Sequence, residues 1–261
     1  MTRLCVTSGH RSISWERVSR CDWRVHHVGR RAVRFVAADS VVATITAPGV
    51  GLSPIGVQVA TAPDFAAVTQ VALRTTGPIT LVADVDAVDL RLAAASTTVA
   101  ALAALRDPLE TWADGLDAEH ARLHALGAQL SHALAADAPV DGLVLALVGA
   151  GPGATPAGDD VLVGLMAALV RSGQSHAARR LSSAVRPLLH RTTAVSRTLL
   201  VAAGEQEFAG YVHTLAHAAA DARLVPDALR ELAAVGATSG FDTALGFCSS
   251  SSLRHRRRSA A

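Results

Sequence analysis

Two short stretches concentrate the residues able to do chemistry. Residues 149–160 read GAGPGATPAGDD, and residues 236–246 read GATSGFDTALG. Each places glycine and small polar residues just before Asp, where an apolar helical pattern begins. Free backbone N–H groups at a helix start favour negative charge. An Asp there can cap them, contributing about 0.5–2 kcal/mol. Capping would account for one Asp. Asp159 and Asp160 are adjacent, so on a helix they point in different directions and cannot both cap alike. A second carboxylate beside exposed N–H groups can bind a cation, or accept hydrogen bonds from an amide or ureido N–H.

The two stretches align with each other. Setting Gly158 on Gly240 places Asp160 on Asp242 and Gly164 on Gly246. The repeat predicts two helix starts of one design, related by approximate pseudo-symmetry and facing one cleft.

Two better-known loop motifs do not fit. Gly149–Ala154 formally matches a dinucleotide fingerprint, but Pro152 and Pro156 delay the helix. The region near residue 174, where an acidic residue belongs, reads Gly173-Gln174-Ser175. Gly153–Gly158 has the spacing of a phosphate-binding loop. Asp159 and Asp160 then stand where Lys and Ser or Thr should follow, and would repel the phosphate.

Composition narrows the chemistry further. The 261 residues contain no Lys; all 24 basic residues are Arg. Schiff-base catalysis and lysine-dependent nucleotide binding are therefore excluded. Cys5, Cys21 and Cys248 are scattered and odd in number. That pattern matches neither a disulfide framework nor a zinc site and suits a reducing cytoplasm. Apolar residues make up 50% and net charge is only +2, which excludes disorder of the whole chain. The longest apolar runs, Leu143–Val148 and Val161–Val170, are too short to span a bilayer, and the first 20 residues lack the apolar region of a secretory signal. No membrane association is expected. Nor is nucleic-acid binding, given the near-neutral charge and 3% aromatics.

The elements that must hold these loops follow from periodicity. Residues 1–27 are polar and Arg-rich and are expected to be weakly structured. Residues 28–94 carry short Val- and Ile-rich runs, Ala32–Ala37, Ser40–Thr46, Ile55–Thr61, Ile79–Ala83 and Val85–Leu92. They predict an antiparallel or mixed sheet, with a tight turn at Ala38-Asp39. Residues 95–248 show Leu and Ala at three- and four-residue steps, predicting helices that include Thr97–Leu105, Leu109–Ala136, Asp160–Ser172 and Thr243–Cys248. Residues 249–261 read as a basic, disordered tail. The fold class is α+β: a β-rich part followed by a mainly helical part with two Gly-Asp loops at helix N-termini. His213 and His217 share a helix face, but without a third ligand they read as ordinary surface or half-buried histidines.

GPGATPAGDDVLVG (151–164) resembles the first signature of the AllH-like family, and GATSGFDTALG resembles its second. Between them, Arg191–Ser196, with Leu199, Ala202 and Gly204, is similar to the family's intervening helix segment. The resemblance implies a subunit of bacterial oxamate carbamoyltransferase, working with FdrA-type and AllG-type subunits late in allantoin breakdown. That reaction moves a carbamoyl group between oxalurate and phosphate, giving oxamate and carbamoyl phosphate. Asp159, Asp160 and Asp242 would then hold the ureido N–H groups, or a Mg²⁺ on Asp159 and Asp160 that polarises the carbonyl. Loop N–H groups and Arg191 would hold a carboxylate or phosphate. Gly153, Thr155, Gly158, Thr192, Thr193, Ser196, Thr238, Ser239 and Gly240 complete the expected site for a small carbamoylated or carboxylated metabolite. Two departures bear on activity. Ala157 stands where the family usually has Ser, and beyond Phe247-Cys248 the apolar helix expected of the family gives way to SSSSLRHRRRSAA. Two other readings remain: a Mg²⁺-dependent hydrolase on a helical fold, and a non-catalytic scaffolding subunit whose glycines pack against partners.

Overall fold

A computed structural model describes residues 2–17, 21–37, 41–115 and 117–250. The expected Ala38-Asp39 turn and residues 251–261 of the basic tail lie outside the described residues. The fold is α+β, and among the described residues the eight strands precede the helical part. Two compact units divide the chain: residues 1–90 with 208–210, and residues 91–207 with 211–261.

The first unit contains β1 (Thr2–Val6), β2 (Gly9–Ser12), β3 (Arg24–Val28), β4 (Ala32–Val36), β5 (Val42–Thr46), β6 (Gly56–Val59), α1 (Ala62–Arg74), β7 (Ile79–Ala83) and β8 (Asp86–Val88). Six strands form a mixed sheet in the order β3-β4-β5-β6-β2-β8, and β1 pairs in parallel with β7. Residues of the polar N-terminal stretch, expected to be weakly structured, thus supply three strands. Their pattern hides this because only Leu4, Val6 and Ser12 point inward as buried residues in β1 and β2. The unit's core centres on Trp23, Phe35, Ile45, Ile79 and Leu81. Helix α1 buries Phe65, Val68 and Ala72. Thr61 caps it by accepting the Asp64 N–H at 3.3 Å and donates its hydroxyl to Asp64 Oδ2 at 2.7 Å. Ser8 donates to the same oxygen at 2.6 Å, and these hydroxyls hold the Asp64 carboxyl below the usual carboxylate range.

The second unit is helical: α2 (Val99–Ala113), α3 (Ala118–Ala135), α4 (Asp141–Leu147), α5 (Ala157–Arg171), α6 (Ser175–Val185), α7 (Ala194–Gly204), α8 (Gly210–Ala218), α9 (Val225–Leu232) and α10 (Ser239–Ser249). The first residue of α8, Gly210, belongs to the other unit. The long helix expected over 109–136 is broken. Pro108 lies inside α2, the chain turns at Asp114-Gly115, and Asp117 opens α3 by accepting the Glu119 and His120 N–H groups. Every residue of α5 is buried, which explains its apolar character on all sides. Helices α3, α4, α6, α7 and α10 pack around it. Arg171 ends α5 inside the unit, where its Nε donates to the Ala216 carbonyl at 3.2 Å. Among the described residues no helix is long and apolar enough to cross a membrane.

Candidate functional site

Helix α5 starts within the first Gly-Asp stretch, at Ala157, and α10 starts within the second, at Ser239. The two helices are the most closely packed pair in the unit, and glycine makes that possible. A Cβ on Gly164 would overlap the Thr243 carbonyl oxygen, and one on Gly246 would overlap that of Val161. The pattern repeats one turn or more earlier. A Cβ on Gly158 would strike the carbonyl of Leu147, the last residue of α4, and one on Gly240 that of Leu232, the last residue of α9. Helix α4, loop and α5 therefore match α9, loop and α10 about an approximate two-fold relation. The crossing brings the two loops together: Thr155 Oγ1 lies 2.8 Å from Ser239 Oγ.

The three carboxylates have different surroundings. Asp159 is 1% exposed, and both its oxygens are engaged. Oδ1 accepts the Gly149 N–H at 2.9 Å, Oδ2 accepts the Thr192 hydroxyl, and the Ser196 hydroxyl also bonds the carboxyl. Burial pushes its pKa up, against the pull of these donors. Thr193 caps α7 by accepting the Ser196 N–H at 3.1 Å and donates to the Ala154 carbonyl at 2.5 Å. Asp159 and Thr193 thus fasten the 149–156 loop to the start of α7.

Asp160 is 2% exposed. The Ser239 and Thr155 hydroxyls bond its carboxyl, but Oδ2 has no hydrogen-bond partner. Burial, reinforced by the negative charges of Asp242 and Asp159, raises its pKa well above the usual carboxylate range. The buried Tyr211 phenol bonds Thr243. Burial first, and then the Asp160 charge, pushes its pKa up as well. Asp242 is fully buried. His124 Nε2 lies 2.7 Å from Oδ1, and Oδ2 has no partner. The His124 ring is tilted against Trp112 at 6.2 Å between centroids, and Trp112 packs on Phe241 at 4.7 Å.

The capping expectation is corrected by this geometry. Pro156 occupies the N-cap of α5 without a side-chain hydrogen bond, and Thr238 does the same for α10. The Asp side chains of both first turns point inward instead. Of the pair expected for Mg²⁺, Asp159 has both oxygens engaged by hydrogen bonds from the loop and the start of α7, while Asp160 keeps one oxygen without a partner. Among the described residues no group of three or more His, Cys, Asp or Glu side chains is placed to hold a metal ion. Of the expected residues, Thr155, Asp160, Ser239 and Asp242 come together, with Gly158 and Gly240 behind them. Arg191 does not join them. Its side chain is exposed and makes no hydrogen bond or ion pair among the described residues, while its carbonyl lies against Gly149. Gly153 is exposed, with open space where a Cβ would sit.

Sequence reasoning missed Tyr211, His124, Trp112 and Phe241. Only Phe241 lies inside a motif. The others come from α8, α3 and α2, and no local spacing links them to the loops.

Residues 147–251 match the family model described as oxamate carbamoyltransferase subunit AllH. The matched segment runs from the end of α4 through α10 and contains both Gly-Asp loops and the start of α7. That description places the family in a carbamoyltransferase built of more than one kind of subunit. No curated protein and no solved structure matches the chain.

Proposed function

We propose that this chain is the AllH-type subunit of an oxamate carbamoyltransferase complex, binding the ureido group of oxalurate between the two Gly-Asp loops. The observation that carries the reading is the pair Asp160 and Asp242. They are buried at matching positions of two crossing helices, and each has one oxygen without a hydrogen-bond partner. Leaving such an atom buried and unpaired costs about 1–3 kcal/mol, and a ligand with N–H donors removes that cost.

The raised pKa of Asp160 favours its neutral acid. A carboxylic acid offers one O–H donor and one acceptor side by side, the complement of a ureido C=O and N–H. Donating to the ureido carbonyl would stabilise the negative charge that develops when phosphate attacks. Asp242 then accepts ureido N–H groups. Thr155 and Ser239 fix the Asp160 carboxyl, and Asp159, Thr192, Thr193 and Ser196 fix the loop from behind. Binding of phosphate is assigned to the partner subunits of FdrA and AllG type, since a loop rich in Asp repels it.

The test is reconstitution. The purified chain is combined with FdrA-type and AllG-type subunits and supplied with oxalurate and phosphate. Carbamoyl phosphate should form in the mixture and not with the chain alone. Robust turnover by the isolated chain, or none by a complex that assembles, overturns the reading.

A further inference from the structure

We propose that His124 is the proton carrier of the carbamoyl transfer and that Asp242 is its positioning partner; this rests on the carbamoyltransferase reading above. Asp242 is fully buried, and its Oδ1 faces His124 Nε2 at 2.7 Å. A carboxylate only accepts, so a neutral imidazole that pairs with it carries its hydrogen on Nε2 and has its lone pair on Nδ1. Nδ1 makes no hydrogen bond among the described residues. The side chain of His124 retains 13% exposure beside a partner with none. One face of the ring is steadied by Trp112, which is itself held by Phe241, the residue before Asp242. An imidazole fixed in one tautomer, with a buried carboxylate behind it and its basic nitrogen open, is the arrangement of a general acid–base.

The two-fold relation sharpens the assignment. Asp160 and Asp242 hold equivalent positions, yet Asp160 receives hydroxyls and Asp242 receives the imidazole. Nothing in the helix crossing itself requires that asymmetry. It divides the labour of one reaction between a carboxyl that can donate to a carbonyl and a dyad that can move a proton.

The step balances without further reagents. An oxygen of hydrogen phosphate forms a bond to the ureido carbonyl carbon, and its proton passes to His124 Nδ1. The bond from that carbon to the oxamate nitrogen then breaks, and His124 returns the proton to this nitrogen. The products are carbamoyl phosphate and oxamate with an intact amide NH₂.

The experiment uses the complete complex with oxalurate and phosphate, comparing wild type with His124→Gln and His124→Ala. Gln keeps an N–H for Asp242 but has no basic nitrogen. The expected result is a fall in kcat of about a hundredfold or more in both variants, with KM for oxalurate within about twofold. Added imidazole should restore His124→Ala in proportion to its concentration. If His124→Gln keeps kcat within about threefold of wild type, the proposal is overturned while the carbamoyltransferase reading stands. A kcat loss in His124→Ala that imidazole does not relieve, accompanied by a lower melting temperature, makes His124 structural and overturns it too. If the wild-type complex assembles and transfers no carbamoyl group, both readings fall together.

Discussion

Gly164 and Gly246 hold matching places in one helix crossing: Gly164 lies against the Thr243 carbonyl and Gly246 against that of Val161, which is the residue matching Thr243. The contact is therefore its own mirror under the repeat that also matches Asp160 with Asp242. Backbone touching backbone leaves no room for a side chain, so the two carboxylates are held at a separation fixed by main-chain contact rather than by adaptable packing.

Gly164→Ala and Gly246→Ala should each force α5 and α10 apart. Because the obstructing atom is a carbonyl oxygen and not the end of a flexible side chain, the cost should reach or exceed the ~1–3 kcal/mol usual for overpacking. Urea unfolding of each variant measures it. Gly142→Ala, at a position in α4 with open space around its Cβ, serves as the control and should be neutral or slightly stabilising. Equal stability of all three variants would show that the crossing yields easily.

The Asp160 carboxyl gives a pH dependence of definite sign. Its pKa is raised in the folded chain, chiefly by burial, so the native state holds a proton that the unfolded state releases. Its contribution to stability is full below the unfolded carboxylate pKa and is lost as pH rises toward the folded value. Asp160→Asn keeps an amide of similar shape that never ionises. The variant should match wild type near pH 4 and gain on it as pH rises to 8, while binding oxalurate more weakly within the complex. Chemical denaturation at both pH values checks the first part. A variant that loses stability steadily with pH relative to wild type would mean that a positive charge stabilises the buried carboxylate and would overturn the raised pKa.

How far the sequence revealed this arrangement depends on the range of each interaction. The Gly-Asp loops stood out because glycine, Asp and an apolar helix start lie within a dozen residues, and their repetition exposed the pairing of Asp160 with Asp242. The helical second unit was legible from Leu and Ala spacing, and β4 to β7 from their Val- and Ile-rich runs. Helix α1 was overlooked although Thr61, Pro63 and Asp64 mark a helix start and Phe65, Val68 and Ala72 keep its period. Strands β1 to β3 were hidden by exposed polar faces. The fastening role of Asp159 is hidden because its partners, Thr192 and Ser196, stand more than thirty residues away. His124 reaches Asp242 across 118 residues, beyond any local pattern.

Asp159 is a clasp, and its removal should loosen one loop selectively. Asp159→Ala leaves the Gly149 N–H and the Thr192 and Ser196 hydroxyls without their common acceptor, at about 1–3 kcal/mol for a buried donor left unpaired. Hydrogen exchange should quicken at residues 149–156 and at the first turn of α7, and much less in α10. Thr192→Val, which removes one donor, should show a smaller change in the same segments. Uniform loss of protection throughout the second unit would argue that Asp159 supports the fold at large.

Trp112 offers a direct report on the site. Of the three tryptophans, Trp15 and Trp23 are buried in the first unit, while Trp112 is half-buried in the second and packs on Phe241, next to Asp242. A ureido ligand accepted by Asp242 must settle beside the residue on which Trp112 stacks, and a shift of Phe241 or His124 changes the indole's polar surroundings. Titrating the chain with oxalurate should therefore alter tryptophan emission and reduce quenching of the accessible component by acrylamide. Trp112→Phe should abolish both responses while calorimetry still detects binding. An emission change that persists in Trp112→Phe would have to come from Trp15 or Trp23, and would place the ligand in the sheet unit instead of at the two Gly-Asp loops.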